Sequence, residues 1–225
     1  MAWYAKPSGP YAAGSTEGTA NIWEMYNALH AAGYTDEAAA AVIGNSIAEG
    51  GLNPWRWQSD TVNYYAGYGL FQFTPANGYI GPMSWVDGYG PNLSTSAVSG
   101  GRTSDGSAQM YCLINDTLGK WVSYCWRDYW DASSYPALWQ LRNRVVTTWG
   151  NGSSISQAQF KNVNEIEAAT FAFMACYEGQ LVPGDFSYRV SYSSTVYEII
   201  TGSPPPPPTR KLPIWLLFKL KEANR

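Results

Sequence analysis

Glu49 stands where a carboxyl group could serve as a proton donor. It closes the last turn of a predicted helix, where the carbonyl end of the helix dipole disfavours an anion. The residues that share its helix face, Ser46, Asn45 and Val42, carry no charge. Four aromatic residues follow in the sequence: Trp55, Trp57, Tyr64 and Tyr65. These surroundings predict an acid that keeps its proton near neutral pH, as cleavage of a glycosidic bond requires, although a solvated surface glutamate is the alternative interpretation.

Two helices are predicted in the chain up to this acid. The apolar spacing of residues 20–32 predicts the first, which ends at Gly33. The second begins near Thr35 or Asp36, either of which can cap exposed amide groups, and runs to Glu49. The two glycines that follow tolerate the left-handed conformation that closes helices.

The rest of the chain divides into an irregular part and a helical part. Residues 55–101 are rich in Gly, Tyr, Trp, Asn and Ser, which predicts a looped or small β-containing lobe. Helical periodicity returns in residues 107–130 and 136–148, is strongest in 164–178 and is weaker in 188–200. The sequence therefore predicts a mainly α protein with one irregular lobe.

Composition and charge restrict the partners. Charged residues make up 14% of the 225 residues and aromatic residues 16%, and Trp and Tyr suit the flat faces of sugars as well as a core. Five basic residues against one acidic residue give residues 210–225 a net charge of +4, which leaves −7 in residues 1–209. An acidic body disfavours a nucleic-acid partner, because phosphate contacts need clustered Lys and Arg.

The cysteine and histidine content disfavours a metal site or a cysteine nucleophile. Cys112, Cys125 and Cys176 are few, odd in number and spaced unlike a zinc motif, so buried, reduced thiols are expected. His30 is the only histidine and lies in an alanine-rich helical stretch, where a Cys–His pair is improbable. No metal and no cofactor are expected.

Three segments carry a resemblance to a known family. They are AVIGNSIAEGGLNP at 41–54 (the first motif), GYGLFQFT at 67–74 (the second motif) and ATFAFMACYE at 169–178 (the third motif). In order and spacing they resemble the phage tail lysozyme family, part of the lysozyme-like group with goose-type lysozymes and soluble lytic transglycosylases. The resemblance covers roughly residues 20–200. It implies a mainly α (α+β) lysozyme-like fold, in which a helical core carries a small irregular or β lobe beside the substrate groove.

The resemblance also implies roles for particular side chains. Glu49 would be the general acid and then the general base. Tyr68, Gln72 and Phe73 would line the central sugar subsites, and Tyr177 would face the acid from the last core helix. For Gln72 and Tyr177, bracing of the helix packing is the alternative.

Several positions depart from the family pattern or stay open. Gly50 replaces a serine that usually follows the catalytic glutamate and orients it, and the common YERP reads YEGQ at 177–180. Asp60 and Asp87 are candidates for a second carboxylate, although both also fit turns. If neither serves, the substrate's own acetamido group would assist. Glu178 could equally be a buried ion-pair or capping residue.

The predicted organisation has four parts. An N-terminal extension covers residues 1–19 and a lysozyme-like catalytic domain 20–200. A polyproline linker covers 201–209, and a basic, apolar tail covers 210–225. The tail would contact phage tail proteins or an anionic membrane, or it is an assembly tag or a disordered end.

The leading hypothesis is a bacteriophage muramidase that cleaves the MurNAc–GlcNAc glycan strand of bacterial peptidoglycan. Because no signal peptide opens the chain, we expect it in the virion tail or released from the host cytoplasm to the cell wall. The alternatives are a lytic transglycosylase that gives 1,6-anhydro products, a non-catalytic wall-binding module on a lysozyme scaffold, and a tail-assembly spacer.

Overall fold

A computed structural model of the chain contains two compact units. It describes residues 3–6, 8–61, 63, 65–76, 104–126, 131–179 and 183–202. The first unit comprises Met1–Ala32 and Ser46–Gly119, and the second comprises Gly33–Asn45 and Lys120–Arg225. Asp87 and residues 203–225, which include most of the predicted linker and the whole predicted tail, lie outside the described residues.

The described residues are mainly helical, as predicted. The helices are α1 Thr16–Ala31, α2 Asp36–Glu49, α3 Ser104–Ile114, α4 Pro136–Thr148, α5 Gln157–Phe160, α6 Ile166–Phe173 and α7 Phe186–Thr201. A π-helical turn, Met174–Glu178, follows α6, and Gln58–Asp60 and Pro183–Asp185 form 3₁₀ turns. In the described part of the irregular lobe, the β structure is one antiparallel bridge between Trp57 and Tyr68. None of the described helices combines the length and apolarity that crossing a lipid bilayer needs.

The ends of the first two helices follow local sequence signals. Ser15 caps α1, since its side chain accepts a hydrogen bond from the Gly18 N–H at 3.0 Å, so α1 begins before the predicted residue 20. The Thr35 hydroxyl accepts from the Ala38 N–H at 3.1 Å at the start of α2. Gly33, between the two helices, has a left-handed φ of 85°. The predicted start and end of α2 are confirmed.

Three helix predictions differ from the structure in their bounds, the first of them by many residues. The periodicity of residues 107–130 predicts a helix that in fact ends at Ile114, because Asp116 and Gly119 adopt left-handed φ values of 45° and 59°. The helix predicted over 164–178 begins at Ile166 and changes to π geometry at Met174. The weaker helix predicted over 188–200 runs from Phe186 to Thr201.

The N-terminal residues pack within the first unit. Trp3 is buried, and its indole N–H donates to the Ser107 hydroxyl of α3 at 2.9 Å. Asn21 of α1 accepts from the Tyr4 N–H at 2.8 Å, and its amide donates to the carbonyls of Tyr4 and Leu52. The fully buried Asn21 therefore joins the N-terminal segment to the residues that follow α2.

The core of the second unit forms around α6, whose residues are almost all buried. Gly44 of α2 lies against α7 so closely that a Cβ would overlap Ser193. The Thr170 hydroxyl of α6 donates to the Ser193 hydroxyl at 2.9 Å. Small residues and hydroxyl groups thus allow α2, α6 and α7 to pack with little separation.

The prediction of reduced thiols is wrong for two of the three cysteines. Cys125 and Cys176 form a disulfide, with Cα atoms 4.9 Å apart and a sequence separation of 51. Cys112 is free and buried, as expected. The pairing was not predictable, because a spacing in sequence does not say which cysteines meet in the fold.

Candidate functional site

Glu49 lies at the end of α2 in the first unit and is half-buried. The N–H groups of Gly50 and Gly51 both donate to the Ser46 carbonyl, at 2.8 and 3.0 Å. Gly51 then adopts a left-handed φ of 57°, which stops the helix. Glu49 is therefore held at the C-terminal end of α2, directly before the two glycines that stop the helix.

Gly50 is the point where the first motif meets the second. A Cβ at this position would overlap the Gly69 carbonyl oxygen and lie 2.6 Å from the carbonyl oxygen of Leu70. The absence of a side chain lets the two backbones touch directly after Glu49. A side chain at position 50 would therefore displace the second motif in this chain.

Gln109 of α3 joins the same two motifs and was not anticipated from the sequence. Its side-chain oxygen accepts from the Leu70 N–H at 2.7 Å, and its amide group donates to the Pro54 carbonyl at 2.7 Å. Gly69, with a φ of 81°, has no room for a Cβ beside this side chain. The available signal was a glutamine among apolar residues of a helix, which buries a polar group only if it is hydrogen-bonded.

The predicted sugar-lining rings of Tyr68 and Phe73 lie inside the second motif. Both side chains are 0% exposed. Their backbones are paired, the Tyr68 N–H donating to the Phe73 carbonyl at 3.2 Å and the Phe73 N–H to the Tyr68 carbonyl at 2.9 Å. The Tyr68 ring packs on Trp57, with centroids 4.8 Å apart. Direct sugar contact would need surface that these rings do not expose in this structure.

Gln72 closes the tight turn of the second motif. It has a left-handed φ of 44°, and its side-chain amide donates to the carbonyls of Gly69 at 3.0 Å and Arg56 at 3.3 Å. These bonds brace the loop backbone, whereas the alternative stated above was bracing of the helix packing. The side chain is also half-buried, so part of it reaches solvent, and contact with a sugar stays a prediction.

Asp60 is engaged with its own unit. Its carboxylate accepts from the Gly9 N–H at 2.6 Å and lies 3.5 Å from the Arg56 guanidinium. Asn53, of the first motif, holds the same N-terminal segment: its amide group donates to the carbonyls of Lys6 and Gly9, both at 2.9 Å. Asp60 and Asn53 therefore serve the packing of the N-terminal residues.

Tyr177 belongs to the second unit, in the π turn Met174–Glu178. Its buried ring stacks on Phe173 with centroids 4.9 Å apart, and the Lys120 ammonium lies 5.2 Å from the ring centroid. Gly179, with a φ of 69°, ends the turn. π turns occur frequently at functional sites. That Tyr177 faces Glu49 stays a prediction, as does the role of Glu178, which is half-buried in the same turn.

The π turn is tied to the segment that follows α3. The Cys125–Cys176 disulfide makes one link, and the Val122 N–H donates to the Cys176 carbonyl at 2.7 Å. The Trp121 indole N–H donates to the Ile155 carbonyl at 3.0 Å and connects this segment to the residues before α5. The position of Tyr177 within the second unit therefore depends on these links.

Asn45, of the first motif, contacts a buried arginine of α7. Arg189 is 1% exposed, and it donates to the Asn45 side-chain oxygen and to the Asp185 carboxylate, both at 2.8 Å. The Asn45 amide group donates to the Ala41 carbonyl at 2.9 Å and the Thr170 carbonyl at 3.4 Å. Asn45 thus fixes α2 among its neighbours within the second unit, a role that the sequence did not show.

Two carboxylates and one arginine form a second charged cluster in the second unit. Arg144 of α4 lies 2.8 Å from Glu165 and 3.6 Å from Glu167. Glu165 is the N-cap residue of α6, and Glu167 lies in its first turn. Burial raises the pKa of Glu167 to about 7; Arg144 opposes this shift and Glu165 adds to it. Since one guanidinium serves two carboxylates, the cluster can hold a proton near neutral pH.

Comparison with known proteins agrees with these motifs. A family profile of phage tail lysozymes matches residues 20–200. Over 72 residues the chain is 38% identical to Morphogenesis protein 1 of Bacillus phage B103, a match that covers 32% of this chain and 19% of that protein. The chain thus matches about a fifth of the length of this relative. Because the profile covers well over half of the sequence, the chain belongs to the phage tail lysozyme family.

Proposed function

We propose that the protein is a peptidoglycan-cleaving glycosidase in which Glu49 is the general acid and base. The observation that carries the proposal is the contact between Gly50 and the Gly69–Leu70 backbone. It places the residue that directly follows the half-buried Glu49 against the second motif, so a sugar chain that lay along that motif would pass the end of α2. Family membership supports the substrate class.

The proposed reaction needs two proton transfers, one from Glu49 to the substrate and one from water back to Glu49. Glu49 gives its proton to the glycosidic oxygen as the bond to the anomeric carbon breaks, and the leaving sugar departs as an alcohol. The electron-deficient anomeric carbon is then attacked by water, which loses a proton to the Glu49 carboxylate. The acid is restored, and the net reaction consumes one water molecule.

The contacts of Asp60 argue against its use as a second carboxylate. For Asp87, which lies outside the described residues, that role stays a prediction, and a route that uses Glu49 alone is the alternative. A covalent or inverting hydrolysis needs a second carboxylate beside the anomeric carbon. Asp60 already bonds to the Gly9 N–H and pairs with Arg56. The substrate's acetamido oxygen would then stabilise the anomeric carbon, and the intermediate gives a hydrolysed product with water or a 1,6-anhydro product with the sugar's own hydroxyl.

The phage setting is part of the same proposal. The name of the relative from Bacillus phage B103, Morphogenesis protein 1, links that protein to phage morphogenesis. For the present chain, cleavage of the host wall from a virion tail, or during release of progeny, is the role that best fits a lysozyme-like domain.

The proposal is tested by digestion of purified cell walls. Replacement Glu49→Gln removes the proton and keeps the shape, and we expect the release of soluble muropeptides to fall by about 10²- to 10⁴-fold, the usual contribution of a general acid. Glu198→Gln, an exposed position on α7, is the matched control and should digest walls like the wild type. Equal digestion by Glu49→Gln would overturn the role of Glu49.

The products separate the remaining alternatives. Mass spectrometry distinguishes reducing N-acetylmuramic acid ends, which mean hydrolysis, from 1,6-anhydro ends, which mean transglycosylation. If the wild type and Glu49→Gln both bind walls and neither releases fragments, the domain is a wall-binding module. Neither binding nor release would indicate a structural component.

A further inference from the structure

The first unit lacks exposed aromatic surface at the two positions where the family resemblance places it. The Tyr68 and Phe73 rings are 0% exposed, whereas a sugar stacks only on a ring that it can reach. Tyr65, three positions before Tyr68, is 80% exposed, the largest value among the large hydrophobic side chains in the described ranges. The surface that a sugar needs is therefore available on the same loop, at a different residue.

The two ends of the loop that carries the Tyr65 ring are paired with each other. We call the described residues 57–61, 63 and 65–68 the Tyr65 loop. Trp57 and Tyr68 form the antiparallel bridge, and their rings pack beneath it. Just beyond the bridge, the Gln58 N–H donates to the Gly67 carbonyl at 2.9 Å, and the Gly67 N–H donates to the Gln58 side-chain oxygen at 2.9 Å.

The backbone of Tyr65 and of the following residue, Ala66, is also hydrogen-bonded. The Tyr65 N–H donates to the Asn63 side chain at 3.0 Å, and the Ala66 N–H donates to the Asn63 carbonyl at 3.0 Å. The Ala66 carbonyl in turn accepts from the Ala76 N–H at 2.9 Å. These bonds already hold the described backbone at Asn63, Tyr65 and Ala66, so a ligand that stacks on the ring needs to order little of it.

The Tyr65 loop is close in sequence to the backbone that contacts the end of α2, directly after Glu49. Tyr65 precedes Gly69 by four residues, and the Gly69 carbonyl lies against Gly50, which directly follows Glu49. Two other tyrosines of this unit, Tyr4 and Tyr111, are 44% and 42% exposed and lie outside both motifs. Tyr65 therefore combines the most exposed ring with a place next to the second motif.

We infer that Tyr65 is a substrate-binding residue whose ring stacks on the C–H face of one pyranose of the glycan strand. The inference rests on the proposed function for its substrate class. A pyranose suits the ring because its apolar face covers the aromatic surface while its hydroxyl groups stay in water. The stacking adds affinity along the strand without taking part in proton transfer.

The test measures binding to purified cell walls by co-sedimentation on ice, in the full-length Glu49→Gln protein. Into this parent we introduce Tyr65→Ala, Tyr65→Phe and, as the matched control, Tyr188→Ala, which removes a tyrosine of α7 that is 61% exposed. We expect Tyr65→Ala to weaken binding about threefold to tenfold, as the loss of one aromatic contact does. Tyr65→Phe and Tyr188→Ala should bind like the parent.

The outcomes are distinct from those of the proposed function. Unchanged binding by Tyr65→Ala overturns the inference, and so does an equal loss in Tyr65→Phe, since that would assign the contact to the hydroxyl group. Thermal denaturation of each variant verifies that the fold is intact. Full wall digestion by Glu49→Gln would overturn the role of Glu49 while leaving the binding comparison valid.

Discussion

The two units hold their buried polar groups with different chemistry. In the described residues of the first unit, the buried polar side chains are uncharged: Asn21, Ser46, Asn53 and Gln109. In the second unit they include the charged Glu165 and Arg189, and the disulfide joins Cys125 to Cys176. In the first unit, side-chain amides form hydrogen bonds with the backbone of the loops. In the second unit, ion pairs and a disulfide stabilise the packing.

This difference predicts different sensitivities. A hydrogen bond from an amide to the backbone neither titrates nor depends on an oxidant. The backbone contacts of Gln109 and Asn53 in the first unit should therefore keep their geometry over a wide range of pH and redox conditions. The π turn that contains Tyr177 depends on a disulfide, and the nearby helix α6 begins beside a carboxylate whose pKa is raised to about 7.

The largest expected effect is loss of the disulfide. Because it closes a loop of 51 residues, replacing both Cys125 and Cys176 by serine should lower the free energy of unfolding by about 4 kcal/mol. Hydrogen exchange should increase first in α6 and the π turn, while α1 and α3 stay protected. Cys112→Ser, which removes the free thiol, is the control; equal loss of protection in both units would contradict the comparison.

Gln109→Leu comes next, because it tests the amides of the first unit. It leaves the Leu70 N–H and the Pro54 carbonyl without their buried partner, at a cost of about 3 kcal/mol for the two groups. Chemical denaturation measures the loss, and wall digestion should fall with it as the second motif moves. Gln140→Leu, at an exposed position of α4, should change neither quantity.

Gly50→Ser restores the residue common in the family, and we expect it to be harmful here. The added atoms would overlap the Gly69 and Leu70 backbone, so unfolding free energy should fall by about 2 kcal/mol and the rate of wall digestion should drop. Gly14→Ser, where a Cβ meets no atom within 4 Å, is the matched control. Higher activity in Gly50→Ser would mean that the two backbones can separate at little cost.

The smallest effect concerns pH. Burial raises the folded-state pKa of Glu167 from an ordinary 4.5 to about 7, so the folded protein holds this proton more tightly than the unfolded chain. The resulting stabilisation is complete below about pH 4.5 and is lost as pH rises through about 7. The free energy of unfolding should decrease by about 1 to 2 kcal/mol between pH 5 and 8, allowing for partial exposure of the group.

Glu167→Gln should remove this pH dependence, whereas Glu198→Gln should preserve it. Denaturant titrations at a series of pH values measure both. A wild-type profile that rises from pH 5 to 8 would show that the Arg144 guanidinium outweighs burial, and that the cluster is a conventional ion pair.

Local patterns were predicted better than contacts. The start of α2 at Thr35–Asp36 and its end at Glu49 follow from a cap, an alanine-rich segment and two glycines, all within a few residues. The end of α3 was missed because apolar periodicity continued past Ile114, while the left-handed turn at Asp116 decided the path of the chain. The short helix Gln157–Phe160 was also missed, although its Ser156–Gln159 capping box is a recognisable signal.

For the candidate site, too, local patterns were predictable and tertiary contacts were not. The acid, Glu49, and the two motifs around it were identified from residue types in order. The burial of Tyr68 and Phe73 was not, because an aromatic residue in a glycine-rich segment can face either the core or a ligand. Gln109 was missed because it acts on residues 39 and 55 positions away in sequence.

The sequence by itself determined the helical character of the chain, the position of an acid at a helix end, and the family, because these depend on short patterns and their spacing. Only the tertiary structure decided that Cys125 bonds to Cys176, that Gly50 touches the second motif, and that Tyr65 is the exposed ring beside it. Such contacts join residues that are distant in the chain, and no local periodicity records which of them meet.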